Sequence, residues 1–340
     1  MKFRVPSYYS DFHCIADKCT DNCCIGWEIE TDSDTLAYYK SVGGDFGKRL
    51  KENISAENTF ILRNERCPFL NGKNLCDIII NCGEEHLCQI CRDHPRYFEW
   101  YGDIKEGGVG LSCEEAARLV LNNSDFCFCE SEVNEEKEEV DEELFSLLYS
   151  VREDIFLLLS ENISLGEKLC LLLDFAEKLQ FRIDNPHIEN DCRYSEIPEG
   201  QKSDIKEIVN LFADFEPIDS VWTSEFKTLA AREGKNIKRL SEKSEKFMLN
   251  LCRYFIWRYF MKGVFDEEIL SKVKFAIVSV LFIFFMCGGG DALDLWQEKS
   301  KLYSKEMEYS DENREMFYDY CYEKECLSSA EIKSIIRSLL

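Results

Sequence analysis

Apolar residues recur at helical intervals through the C-terminal part of the chain. Leu144, Leu147 and Leu148 are followed by Val151, Ile155, Leu158 and Leu159, a spacing of three and four that lines one face of an α-helix. Similar stripes run over Leu165–Phe181, Ile205–Phe212, Phe247–Phe260, Ile269–Cys287, Leu293–Leu302 and Ile332–Leu340, with polar breaks between them. They predict an all-helical domain over residues 144–340. Leu251, Tyr254, Phe255, Arg258 and Tyr259 share one stripe, which reads as core, with Arg253 and Arg258 at the surface or in ion pairs. The longest apolar run, Phe275–Cys287, is broken only by Ser279. It falls short of the roughly 20 residues that span a bilayer, so it predicts a buried helix and no membrane insertion.

The first 129 residues follow shorter patterns. Residues 3–13 read as extended chain. Glu28–Asp32 alternates as a short strand or loop does, and Asp32 or Ser33 is placed to cap a helix carrying Leu36 and Tyr39. Gly43-Gly44 ends that helix, and Phe46–Glu52 predicts another. Phe60–Leu62 is a short strand candidate. Asn71-Gly72, flanked by apolar residues, predicts a hairpin whose return strand is Asp77–Asn81. Gly83–Arg92 predicts one or two helical turns, and Tyr97–Trp100 with Val109–Ser112 a further hairpin. A helix starts at Glu114, with Ser112 as its cap. Glu130–Glu143 holds nine carboxylates and one lysine and reads as a solvated linker. The predicted fold is therefore mainly α: a cysteine-rich metal-binding domain with short hairpins (residues 1–129), an acidic linker (130–143) and an all-α domain (144–340).

Composition narrows the chemistry. The 340 residues carry a formal charge of -24 and a pI near 4.7, which disfavours contact with nucleic acid phosphates. An acidic surface is compatible with a lysine-bearing partner, although simple solvation explains it as well. Residues 1–6 carry no apolar run of the secretory kind, so a cytoplasmic location is expected. In that reducing compartment 18 cysteines point to metal binding rather than to disulfides.

Ten cysteines fall between positions 14 and 113. Their spacing is local: C-x4-C-x3-C-C at Cys14, Cys19, Cys23 and Cys24, then Cys67-Pro68 and Cys76, then Cys88-x2-Cys91, then Cys113. Thiolate sulfur selects zinc, copper(I) and iron–sulfur clusters. At i and i+3, Cys88 and Cys91 share one helical face. Cys82 stands outside the tight spacings and is set aside, which leaves nine candidate metal ligands: Cys14, Cys19, Cys23, Cys24, Cys67, Cys76, Cys88, Cys91 and Cys113. One tetrahedral zinc or one four-iron cluster takes four, so nine imply two centres or one centre with spare thiols. Cys170, Cys252 and Cys287 lie within apolar helices and read as core. Cys127/Cys129 and Cys321/Cys326 are secondary pairs. His13 and His94 adjoin the candidates and read as neighbours or outer hydrogen-bond donors.

Several of these segments together resemble the flagellin lysine-N-methylase family. They are Phe12-His13-Cys14, Cys19, Cys23-Cys24-x2-Trp27, Cys67-Pro68-Phe69-Leu70, Leu75-Cys76-Asp77-Ile78 and Leu87-Cys88-x2-Cys91-Arg92-x2-Pro95-Arg96. Leu111-Ser112-Cys113, Glu115–Leu119, Arg253–Phe260 and Val273–Ala276 extend the resemblance over most of the chain. It implies a protein-lysine N-methyltransferase that uses S-adenosylmethionine on flagellin lysines and carries an iron–sulfur cluster, a four-iron one being favoured and zinc the alternative. The residues themselves display no methyl-donor site. Gly107–Gly110 and Gly288–Gly290 lack the strand–turn–helix setting of a nucleotide loop, and C-x3-C-x2-C fails at Gly26. Catalytic residues are not assigned; Tyr97, Trp100 and Tyr101 could shape an amine pocket but read more simply as core. The competing function is a non-enzymatic metal or cluster carrier.

Overall fold

In the computed structural model, residues 1–20, 22–188, 203–218, 220–232 and 240–340 are described. The chain opens with strand β1 (Lys2–Pro6). Four short helices follow: α1 (Ser33–Ser41), α2 (Gly44–Glu52), α3 (Asp77–Cys82) and α4 (Gln89–Asp93). Strands β2 (Arg96–Tyr101) and β3 (Ile104–Val109) form an antiparallel hairpin across Gly102-Asp103. Then come α5 (Glu114–Asn122) and β4 (Phe128–Glu132). The sheet order is β2-β3-β1-β4, with β1 parallel to β3 (Arg4↔Glu106) and antiparallel to β4 (Val5↔Cys129).

The rest is helical: α6 (Glu142–Ser160), α7 (Leu165–Asp184), α8 (Ile205–Leu211), α9 (Ser220–Ala231), α10 (Glu242–Tyr259), α11 (Gly263–Asp266), α12 (Ile269–Cys287), α13 (Leu293–Met307), α14 (Asp311–Glu323) and α15 (Ser329–Leu339). The mainly α reading is correct. Helix α12 is the axis: every residue but Leu270 is buried, and α7, α10 and α13 pack around it. It is long and apolar enough to cross a membrane, but 94% of its apolar window is buried inside the protein, as for a helix that is apolar all round at the centre of a core. Its two lysines are neutralised or bonded, Lys272 Nζ by Asp266 at 2.6 Å and Lys274 Nζ by the Cys321 carbonyl at 2.9 Å. Asp141, Ser164, Ser241, Ser310 and Ser328 each accept a first-turn amide and so fix where α6, α7, α10, α14 and α15 begin.

The apolar packing groups residues otherwise than by order along the chain. Tyr8, Phe12, Tyr101, Val109 and the buried face of α5 share one cluster with the helices from α6 onward, so residues on both sides of the acidic segment belong to a single body. A second, smaller cluster is built on Ile29, Tyr39, Leu50, Phe60, Cys67, Phe69, Leu70, Ile78, Leu87 and Cys88. We call this second unit the cysteine lobe.

Sheet and body are joined by buried charge. Glu106 on β3 receives the Arg152 guanidinium of α6, with side chains 5% and 0% exposed. The Trp257 indole N–H donates to the Gly107 carbonyl at 3.0 Å.

Three local expectations change. Asp77–Asn81, expected as a return strand, is α3: Arg49 and Asn71 hold the Asp77 carboxylate, and the Asn81 amide donates back to the Asp77 carbonyl. These tertiary bonds outweigh the β-preference of three isoleucines. The hairpin there shrinks to one bridge, Leu70↔Cys76, because the Asn71 side chain accepts the Lys73 and Leu75 amides and closes a loop. The cap of α5 is Cys113, not Ser112. Helices α9 and α14 were not expected.

Candidate metal centre

Three of the nine candidate thiols stand where a helix begins. Cys76 precedes α3, Cys88 precedes α4 and Cys113 precedes α5, each with extended backbone. From there the sulfur turns back over first-turn amides: Ile78 and Ile79 at Cys76, Cys91 at Cys88, Glu115 and Ala116 at Cys113. Such N–H groups stabilise a thiolate. Cys67 is fixed differently. Its own amide donates to the Cys24 carbonyl at 2.8 Å, and Leu70 N–H closes the turn onto the Cys67 carbonyl at 3.1 Å. Phe69, fully buried against Phe46 and Phe60, anchors this Cys-Pro-Phe-Leu knuckle.

The thiols fall into two adjoining sets. Cys24, Cys67, Cys76, Cys88 and Cys91 lie in or against the core of the lobe and act on one another electrostatically. The Cys88 Sγ donates to Cys91 Sγ at 3.3 Å. The other set faces the body: Cys113 feels Cys23 and Cys14, and Cys19 Sγ lies 3.8 Å from the carboxylate of Glu114, the residue after Cys113. Adjacent Cys23 and Cys24 join the sets. Cys82, set aside on spacing, also packs against the core of the lobe, beside Tyr38.

Electrostatics show what this crowding costs. Burial pushes the Cys67 and Cys113 thiols up to about 11, with neighbouring thiols adding to it and backbone amides opposing it. Burial also raises Cys76. Cys24 is raised first by its bond to Cys23 and Cys91 first by its bond to Cys88, each with burial next. Cys88, as the partner favoured by the Cys91 bond, is lowered. A bound cation would turn the mutual repulsion of these thiolates into attraction.

In kind, the donor set fits a soft metal or an iron–sulfur cluster. Among the described residues, however, no three His, Cys, Asp or Glu side chains already converge closely enough to hold an ion. Every described cysteine is outside a disulfide, and Cys192 lies outside the described residues.

The remaining candidates scatter. His13 bonds the Asp11 carbonyl at the surface. His94 faces Tyr309, and burial followed by Lys305 lowers its pKa to about 4, so it is neutral at pH 7. Tyr101 stacks on Phe145 and Phe265 in the core, and the Trp100 indole donates to Glu135. Gly107 and Gly108 lie within β3, and Gly288 ends α12 in the left-handed region at φ 58°. Neither glycine run forms a nucleotide cradle. Arg258, expected at the surface or in an ion pair, is in one; what sequence reasoning missed is its buried partner Glu308, 2.9 Å away and ringed by tyrosines. Its only signal was an arginine inside an apolar stripe.

Comparison with known proteins adds a direction. Over 130 aligned residues, 35% of this chain, it is 28% identical to the flagellar biosynthetic protein FliU of Salmonella muenchen, covering 77% of that protein. It is equally similar to the lysine-N-methylases of Salmonella choleraesuis (strain SC-B67) and Salmonella typhimurium, spanning 32% of their length. No protein-family model and no solved structure matches the chain.

Proposed function

We propose that this protein is an S-adenosylmethionine-dependent protein-lysine N-methyltransferase acting on flagellin, with a cysteine-ligated iron–sulfur centre, zinc being the alternative metal. The observation that carries the reading is the pairing of a thiol-crowded lobe with a stretch similar to proteins named lysine-N-methylase. Four of Cys24, Cys67, Cys76, Cys88 and Cys91 would hold one centre. Cys14, Cys19, Cys23 and Cys113 are the thiols left for a second. An iron–sulfur centre there would supply one-electron chemistry and, with an open coordination position, a binding point for a small polar co-substrate, whereas zinc would supply only a Lewis acid.

The chain's own residues must do the rest. A lysine nitrogen attacks only as the neutral amine, so the protein has to hold the ε-amine among groups that accept its protons and exclude water. The lobe's Arg49–Asp77 bond, 2.6 Å, and the Tyr39 hydroxyl on the His86 carbonyl, 2.8 Å, keep the knuckles bearing Cys67, Cys76 and Cys88 in register.

The test is anaerobic purification, metal and sulfide analysis, then incubation with labelled S-adenosylmethionine and flagellin. Label on lysine is expected. A fully metal-loaded protein that leaves flagellin unlabelled removes the methylase reading; an active, colourless zinc protein removes only the iron–sulfur part. A carrier is the second reading, favoured by the solvent exposure of Cys14 and Cys23, and predicts metal transfer to an apo-acceptor instead of label.

A further inference from the structure

Where the ends of β1, β2 and β3 meet α10 and α13, the body encloses polar groups that an apolar core should not contain. Glu308, just past α13, is completely buried. Its Oε1 accepts from Tyr254 at 2.8 Å, Tyr259 at 3.0 Å and Arg258 at 2.9 Å. Its Oε2 has no partner among the described residues, and the same holds for the buried hydroxyls of Tyr8 and Tyr97. These three atoms belong to one neighbourhood: Tyr8 and Tyr97 each interact with Arg258 and Glu308, and Tyr97 with Tyr8. A buried polar atom left unpaired is destabilising, and three in one place call for an explanation.

Backbone is cut away to admit them. A Cβ on Gly108 would lie 2.3 Å from the Tyr97 hydroxyl oxygen, and one on Gly110 would lie 2.7 Å from that of Tyr309 and 3.2 Å from Arg258. Tyr309 leads outward, with Trp27 edge-on to its ring at 5.2 Å and Cys113 close by. The enclosed site therefore adjoins the body-facing thiols.

We propose that this buried polar cluster is the binding site for a primary alkyl amine, the side chain of a substrate lysine, with Glu308 Oε2 and the hydroxyls of Tyr8 and Tyr97 as the acceptors. An ammonium carries three N–H donors and no acceptor, which matches a carboxylate oxygen and two hydroxyl oxygens. Aromatic rings suit a cationic head, and Arg258 beside them favours release of one amine proton. The assignment rests on the methyltransferase reading for its substrate class and adds where the amine goes.

The test measures binding of N-acetyl-lysine methylamide and its norleucine counterpart, which lacks only the amine, to the metal-loaded full chain. The lysine probe should bind at least tenfold tighter. Tyr8→Phe and Tyr97→Phe remove only unpartnered oxygens, so each should raise the thermal midpoint while weakening the lysine probe about fivefold or more; Glu308→Gln should weaken it at least tenfold. Equal binding of the two probes overturns the assignment, as does a Phe variant that loses stability and keeps wild-type binding, the behaviour of hydroxyls satisfied by water. Lysine-selective binding in a protein that never methylates flagellin would remove the methylase reading and keep the amine site. Methylation with wild-type KM in all three variants would do the reverse.

Discussion

The body and the cysteine lobe solve the folding problem by different means. The body surrounds a helix that is buried almost end to end, and six of its described helices start on a side-chain cap. The lobe, roughly residues 24–91, has four short helices and isolated bridges in place of a sheet. Ten buried side chains form its core, two of them cysteines, while Ile25, Ile61, Ile79, Ile80 and Ile90 stay more than a third exposed. A unit of this size with so small a core usually needs a staple. Its thiols are not in disulfides. Apolar burial accounts for the body; for the lobe we propose that a centre bound by its thiols supplies what the small core does not.

The largest expected effect comes from removing the proposed metal. Structural zinc in small domains contributes on the order of 10 kcal/mol of folding free energy, so Cys67→Ser or Cys88→Ser should abolish metal binding and unfold the lobe while far-ultraviolet circular dichroism of the body persists. Loss of signal from both units together would show that they fold as one.

Next comes the buried pair that ties sheet to body. Glu106→Ala strands the Arg152 guanidinium in a fully buried site, against the rings of Trp257 at 4.5 Å and Tyr149 at 5.6 Å. Removing one partner of a buried ion pair costs about 3–5 kcal/mol. Urea denaturation should show that loss in the body's transition and leave metal content unchanged.

Acid should act at the seam. His94 is buried neutral against Tyr309, with a folded pKa of about 4 against an ordinary 6.5. Between those values the unfolded chain binds the proton and the folded chain does not, so stability falls as pH drops from 6.5 to 4. At about 1.4 kcal/mol per unit this amounts to about 2–3 kcal/mol. His94→Gln should flatten a pH-resolved denaturation series across that window. The smallest effect is Ser164→Ala, which removes the cap accepting the Glu167 amide at 3.2 Å and should cost the body about 1 kcal/mol.

Legibility in the sequence follows the same divide. Helix α12 was readable to its ends because burial on all sides leaves an unbroken apolar run, and α7 and α10 because their stripes are regular. The Asn71-Gly72 segment was misread because its outcome depends on Arg49, distant in sequence, holding Asp77. The thiols were visible individually. Their division into two sets was not, since it depends on Cys23 and Cys24 facing different neighbours. Nothing local pairs Arg258 with Glu308; only the packing of α10 on the end of α13 brings them together.

Amide hydrogen exchange before and after metal chelation separates a lobe held by bound metal from one that holds itself. Protection should vanish across residues 24–91 on chelation and persist in α7, α10 and α12. Unchanged protection in the lobe of a demonstrably metal-free protein would show that it holds itself and contradict the proposal.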